Sequence, residues 1–265
     1  MTTECFAPAK INLTLHVTGQ RADGYHLLDS LVVFADVGDA ITFTPAPEMS
    51  LKVDGPFSKG VPCDGRNLLW KAAELAGVTG HLTLQKNLPH GAGIGGGSSD
   101  AGALLRALDC DNAGLALGAD VPVCSYGRAA RMQGIGDVVH PVANMPRLFA
   151  VLVNSGAYVP TPQVFQALAQ KDNLGQEDMP QHGADFTQWL HRQRNDLQAA
   201  AITIAPDIGT VLAALAACDG QNLVRMSGSG ATCFALFDTA SAAQAAAHKL
   251  ATAYPDWWVK PCVLS

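Results

Sequence analysis

Pro89-His90-Gly91-Ala92-Gly93-Ile94-Gly95-Gly96-Gly97-Ser98-Ser99-Asp100 places five glycines in seven positions and runs directly into an Ala- and Leu-rich helical stretch. Glycines lack Cβ, so the backbone can turn its N–H groups inward and approach an anion closely. The unpaired N–H groups and positive dipole end of the following helix face the same point. This is the pattern of a phosphate cradle, with a flexible glycine loop as the plainer alternative. Ser98 and Ser99 read either as hydroxyl donors or Mg²⁺ ligands, or as simple N-caps of a helix over Ser98–Leu108. Gly91, Gly93 and Gly96 also satisfy G-x-G-x-x-G, with Asp109 or Asp111 where a ribose-binding carboxylate would lie. A dinucleotide site leaves its strand directly, however, and here Asn87-Leu88-Pro89 intervenes. No Gly-Lys-Ser/Thr ends the run, so it is not a Walker A loop.

Outward from the loop, strands and helices mix without strict alternation. Strands are expected over Ile11–Val17, Leu31–Val37, Ala40–Thr44, His81–Gln85, Leu148–Val153 and Thr232–Phe237, the second and third separated by Gly38-Asp39. Helices are expected over Asn67–Ala76, Gln163–Lys171, Ile208–Ala217 and Ser241–Ala253, and an exposed polar loop over Lys171–Gly183. The fold class is therefore α+β, in two domains: residues 1–142 and residues 143–265.

The chain has 265 residues, with 17 Lys+Arg against 23 Asp+Glu and a formal net charge of −6. That balance offers no basic surface to nucleic acid. Hydrophobic residues make up 48% and charged residues 15%, which excludes a disordered chain. The seven cysteines are scattered and lack zinc-site spacing, so they read as buried small hydrophobes in a reducing compartment. No apolar stretch approaches a membrane span and Met1–Lys10 lacks a signal-peptide core, so a soluble cytoplasmic protein is expected, as a monomer or weak homodimer.

Three further segments sharpen the reading: Ala7-Pro8-Ala9-Lys10-Ile11-Asn12-Leu13, Gly118-Ala119-Asp120-Val121-Pro122 and Ser227-Gly228-Ser229-Gly230-Ala231-Thr232. Together with the glycine loop they resemble the motifs of the GHMP kinase superfamily. Gly19-Gln20-Arg21-Ala22-Asp23-Gly24-Tyr25-His26 resembles one branch of it. The resemblance spans residues 6–237. It implies an N-terminal ATP-binding domain, a C-terminal ferredoxin-like domain, and transfer of the γ-phosphoryl group of ATP to the 2-hydroxyl of CDP-methylerythritol, a step of non-mevalonate isoprenoid precursor synthesis.

By the same resemblance, Lys10 and Asp120 form the catalytic pair. Asn67 and Lys86 lie at the adenine end, and Pro89, His90, Gly91, Ala92, Gly93, Ile94, Gly95, Gly96, Gly97, Ser98 and Ser99 surround the triphosphate. Tyr25 and Phe165 sandwich the cytosine, His26 reads its edge, and Asn12 touches the substrate. Mg²⁺ is implied by ATP chemistry, with no dedicated carboxylate ligand evident beyond Ser98, Ser99 and Asp120. Relatives carry an extra helical segment where this chain has only Asp109–Leu117, so a trimmed connection is expected before Asp120. The rival readings are a kinase for homoserine or mevalonate, which have no base to stack, a nucleotide-binding protein without phosphotransfer, and an NAD-dependent oxidoreductase.

Overall fold

The computed structural model describes residues 1–180 and 183–265, with backbone only for residues 111–113 and 183–184. The first lobe holds β1 (Thr3–Asn12), β2 (His16–Gln20), β3 (His26–Pro45), β4 (Ser50–Asp54), α1 (Leu68–Leu75), β5 (Gly80–Gln85), α2 (Gly96–Ala107), α3 (Val121–Tyr126), β6 (Ala130–Gly134) and β7 (Val138–Pro141). The second holds β8 (Leu148–Asn154), α4 (Thr161–Gln166), α5 (Gly183–Arg192), α6 (Gln198–Ile204), α7 (Asp207–Ala216), β9 (Gln221–Met226), β10 (Cys233–Phe237), α8 (Ala240–Ala253) and β11 (Trp258–Leu264).

The α+β class holds, but the early strands are divided differently from expectation. The two expected strands on either side of Gly38-Asp39 are one, the 20-residue β3, which pairs with β1, β2, β5 and β6. Gly38 is not a turn: a Cβ there would strike the Ala7 carbonyl on β1, so glycine lets two strands close up. Conversely, Ile11–Val17 is not continuous, because Asn12, Thr14 and Ser30 bond one another between β1 and β2. Gln163–Lys171 forms only the short α4, capped at Ala167.

Lys171–Gly183 was expected to be an exposed loop; of it, residues 181 and 182 lie outside the described residues. Gln176 is buried, its N–H donating to Asp29 Oδ2 (3.0 Å) and its Oε1 accepting from Thr14 Oγ1 (2.7 Å), so the segment is fastened to the first lobe. The trimmed Asp109–Leu117 connection is a 3-10 turn over Asp111–Ala116. The side chain of Asp111, the alternative ribose carboxylate, lies outside the described residues. Four cysteines are buried as expected, but Cys63 is exposed and Cys5 and Cys110 are half-buried; all seven are free.

Each lobe has its own core. α1 and α2 pack Leu69, Leu104 and Leu105 onto Ile41, Phe43, Leu82 and Leu84 of the first sheet. α6, α7 and α8 pack on Val151, Val153 and Ala235 of the second. A third cluster belongs to neither lobe alone: Ile11, Leu13, Val33 and Ile94 meet Leu152, Trp189, Phe234 and Leu264. The sheets are also joined directly. β11 lies between β8 and β3, with Leu264 opposite Ala35 and Phe34 and Ser265 exchanging both backbone bonds at 3.0 Å. No helix among the described residues is long and apolar enough to cross a membrane.

Candidate active site

The glycine loop leaves β5 and enters α2, and its conformation follows from alternation. Ala92 and Ile94 are buried in the core, while Gly91, Gly93 and Gly95 take left-handed conformations (φ 55°, 71° and 66°) that the intervening residues could not share. Its carbonyls from Ala92 to Gly95 are all engaged. Ala92 O accepts from Thr232 N, Gly93 O from Ser227 Oγ, Ile94 O from Lys10 N (each 3.0 Å) and Gly95 O from Ser99 N (2.6 Å). Among the described residues, none of the amides from Gly91 to Ser98 donates a hydrogen bond inside the protein. A loop with its acceptors consumed and its donors free at a helix N-terminus is an anion site.

The helix begins earlier than expected. Gly95 is the residue before α2, and Ser98, Ser99 and Asp100 lie inside its first two turns rather than capping it. Ser99 is buried, and its hydroxyl donates to Pro8 O at 2.6 Å, tying α2 to β1. Ser98 stays half-buried beside the cavity.

That cavity, about 870 Å³, lies between the lobes. Lys10, on β1, reaches Asp120 Oδ2 at 2.8 Å; the lysine side chain is 4% exposed and the aspartate 36%. Asp120 precedes α3 but makes no capping bond with its side chain, so its carboxylate is free for the cavity. The structure therefore brings the two together across 110 residues of sequence. Asn12 points Nδ2 at Ser30 Oγ (2.7 Å), while its buried Oδ1 has no partner.

At the other end, Tyr25, His26 and Phe165 line the same cavity. The His26 ring stacks on Phe165 with centroids 4.7 Å apart, covering a face the resemblance assigns to a base, and Tyr25 is 58% exposed. Burial, then the charge of Lys171, lowers the His26 pKa, which keeps the imidazole neutral, and its buried Nε2 is unpartnered.

Asn67 and Lys86 meet at a smaller hollow of about 300 Å³, which Pro89, His90, Gly91, Gly96 and Gly97 also line. Asn67 caps α1, accepting from Leu69 N at 2.9 Å. Lys86 is buried between two carboxylates, donating to Asp39 and, at 2.8 Å, to Asp100 Oδ2. Asp39 Oδ1 also accepts from the amides of Asn87 (2.5 Å) and Leu88 (2.9 Å), so the cluster fixes the stem of the glycine loop. The two carboxylates outweigh the burial that disfavours the ammonium, and the Lys86 pKa is raised.

Burial, with Asp39 adding to it and Lys86 opposing, pushes the Asp100 carboxyl from 3.8 up to about 7. A carboxyl whose folded-state pKa is raised binds its proton more tightly in the native protein, so its contribution favours folding at low pH. That contribution is lost as pH rises from the unfolded pKa near 4 through about 7. The urea midpoint of the wild type should accordingly fall relative to Asp100→Asn between pH 5 and pH 8. A difference between the two that is flat over that range would count against this balance.

Sequence reasoning missed the residues that join the parts. Ser227 Oγ accepts from Asn12 N and donates to Gly93 O, both at 3.0 Å, linking β1, the glycine loop and the second lobe. Asn195 Nδ2 holds Met226 O (2.8 Å) and Gly228 O (2.9 Å), and Ser229 Oγ lies 2.7 Å from Thr161 Oγ1. The Ser-Gly-Ser-Gly run implies a turn of the second lobe approaching the first without side-chain clash, and Gly228 does lie against Gly93, but nothing local signalled Asn12, Thr161 or Asn195 as partners.

Comparison with known proteins places this geometry. Residues 67–139 match the family model for the GHMP kinases N terminal domain and residues 172–256 that for GHMP kinases C terminal. A 4-diphosphocytidyl-2-C-methyl-D-erythritol kinase of Dinoroseobacter shibae is 56% identical over 98% of this chain and 94% of that protein. The enzyme of the same name from Paramagnetospirillum magneticum is 47% identical over 97% of each. A crystal structure of 4-(cytidine 5'-diphospho)-2C-methyl-D-erythritol kinase superposes with a TM-score of 0.78 at 33% identity, covering 99% of both chains. A homoserine kinase from Cytophaga hutchinsonii shares the fold, with a TM-score of 0.64 at 15% identity, covering 100% of this chain and 94% of that one. Full-length identity to these relatives, both domain matches and the shared fold all agree, and the chain belongs to the GHMP kinases, in the 4-diphosphocytidyl-2-C-methyl-D-erythritol kinase family.

Proposed function

We propose that this chain transfers the γ-phosphoryl group of ATP to the 2-hydroxyl of 4-diphosphocytidyl-2-C-methyl-D-erythritol. The observation that carries the reading is one cavity with three chemistries in order: free amides of the glycine loop, the Lys10–Asp120 pair, and the aromatic group of Tyr25, His26 and Phe165. Residues 1–142 act as the ATP-binding domain and residues 143–265 supply the far wall of the cavity, Phe165 included.

A tertiary alcohol is far too weak an acid for a carboxylate to deprotonate outright. Asp120 instead orients the hydroxyl and takes its proton late, as the oxygen–phosphorus bond forms and the bond from phosphorus to the β-phosphate oxygen breaks, releasing ADP. Lys10, 2.8 Å from Asp120 Oδ2, holds the carboxylate in place and polarises the attacking oxygen. Asn67 and Lys86 bound the adenine end, and Asn12 Oδ1 accepts from the polyol.

Mg²⁺ suits the residues present, because this ion takes most of its ligands from phosphates and water and only one or two from protein. Ser99 is spent on Pro8 O, which leaves the hydroxyl of Ser98 and the second oxygen of Asp120 facing the cavity. Those two would hold it, and the ion would supply positive charge to offset that of the transferring phosphates. No group of three or more His, Cys, Asp or Glu side chains suited to a metal occurs among the described residues.

The direct test is mass spectrometry of the cytidyl substrate, homoserine and mevalonate, each incubated with the protein, ATP and Mg²⁺. Gain of one phosphoryl group on the cytidyl substrate alone is expected, and phosphorylation of another alcohol in its place would overturn the reading. Tyr25→Ala should raise the KM for the cytidyl substrate by about tenfold or more, since aromatic stacking contributes ~1–3 kcal/mol per base. The KM for ATP should stay put; an equal rise in both would remove the base from Tyr25.

A further inference from the structure

Two lysines line the cavity, and only one of them is engaged with a carboxylate. Lys10 is committed to Asp120 at 2.8 Å. Lys171, half-buried, has no carboxylate within 4.0 Å among the described residues, and its Nζ reaches only the neutral Gln20 Oε1 at 3.5 Å. It lies beside Gln20 and His26, and Phe165 and Gln166 line the same cavity.

The chain beyond Lys171 is polar, yet it is fastened at successive points. Asn173 donates its N–H (3.2 Å) and Nδ2 (3.0 Å) to Val17 O on β2. Leu174 O accepts from Arg194 Nη2 (2.5 Å) and lies 3.2 Å from His16 Nδ1. Gln176 is held by Asp29 and Thr14 as described above, and Asp29 is itself paired with Arg131 at 2.7 Å. These bonds hold residues 173–176 to strands β2 and β3 and so fix the backbone that carries Lys171.

Charge accounting gives this cation a task. A nucleoside diphosphate ester brings two negative charges into the cavity, next to the base that Tyr25, His26 and Phe165 face. The free amides of the glycine loop serve the triphosphate of ATP, and Lys10 is neutralised by Asp120. We infer that Lys171 binds the diphosphate of the nucleotide-linked substrate and that the fastened segment 172–176 positions it there. This rests on the function proposed above. A charged partner rather than a neutral donor is used because ammonium-to-phosphate hydrogen bonds are about twice as strong as neutral ones.

The test is isothermal titration calorimetry of CDP and of cytidine, with the nucleotide site first saturated by a non-hydrolysable ATP analogue and Mg²⁺. In Lys171→Met the affinity for CDP should fall about tenfold and that for cytidine by no more than about twofold. The dependence of CDP binding on salt should flatten, and Lys171→Arg should keep most of the affinity. Loss of CDP and cytidine by the same factor, or no loss of CDP, would overturn the inference. Wild-type protein that bound neither CDP nor cytidine would instead overturn the function on which it rests.

Discussion

Asp120→Asn is expected to lower kcat by about a thousandfold while leaving ATP affinity nearly unchanged. The amide cannot accept the proton of the attacking hydroxyl, and it no longer holds the Lys10 ammonium by charge. The carboxylate is 36% exposed, caps no helix, and has Lys10 as its one ion-pair partner among the described residues. Lys10→Met should cost turnover on a similar scale. Because Lys10 is buried at 4% exposure, Asp120→Asn leaves that ammonium without its counter-charge, whereas Lys10→Met leaves only the more exposed carboxylate, so the aspartate variant should lose more stability of the two. ADP release read alongside thermal unfolding separates loss of turnover from loss of fold. A fall in ATP affinity as large as the fall in turnover for Asp120→Asn would make the aspartate structural.

Gly93→Ala should be strongly damaging for a single added methyl group. Gly93 has φ +71°, where an L side chain is strained, and a Cβ would meet the Ser227 carbonyl and, at 2.8 Å, both N and O of Gly230. The left-handed conformation costs about 1–2 kcal/mol and overpacking against backbone about 1–3 kcal/mol more, a large share of a typical ~5–15 kcal/mol stability. Two controls isolate the causes. Gly60→Ala has the positive φ (+86°) with open space and should cost only the conformational part, whereas Gly97→Ala has neither strain nor a contact under 3.6 Å and should be tolerated. Urea denaturation of the three should rank Gly93→Ala well below Gly60→Ala. If Gly93→Ala matched Gly60→Ala in stability and kept full activity, the loop and the Ser227–Gly230 turn could not be packed as described.

The parts of the site legible in sequence were those that geometry forces into local patterns. Five glycines before a helix state their purpose because no other residue could occupy Gly93 or Gly95. The long-range partners had no such signature. Gly38-Asp39 looks like a turn in the sequence, yet Gly38 is a glycine because of Ala7 on another strand, and Asp39 is an aspartate because Lys86 and two amides need a carboxylate there. Ser98-Ser99-Asp100 has the composition of a cap, but Gly95 takes the cap position and frees Ser99 for Pro8 and Asp100 for Lys86. The polar run after Lys171 reads as solvent-exposed because its hydrogen-bond partners Val17, Asp29 and Arg194 are far away in sequence.

The position of β11 between β3 and β8 bears on how the polypeptide matures during synthesis. Translation delivers the first lobe whole before any of the second, yet the seam between their sheets is made by β11, which follows every other strand of the second lobe. Until residues 258–264 emerge, β3 and β8 each present an unpaired edge, and the shared cluster around Ile11, Leu152 and Phe234 has no Leu264 to close it. An elongating chain stalled before that point would carry both halves of the catalytic pair and a complete glycine loop, but with two sticky edges that invite chaperone capture or misassociation. Quality control of this enzyme would thus turn on residues 258–264, none of which lines the cavity.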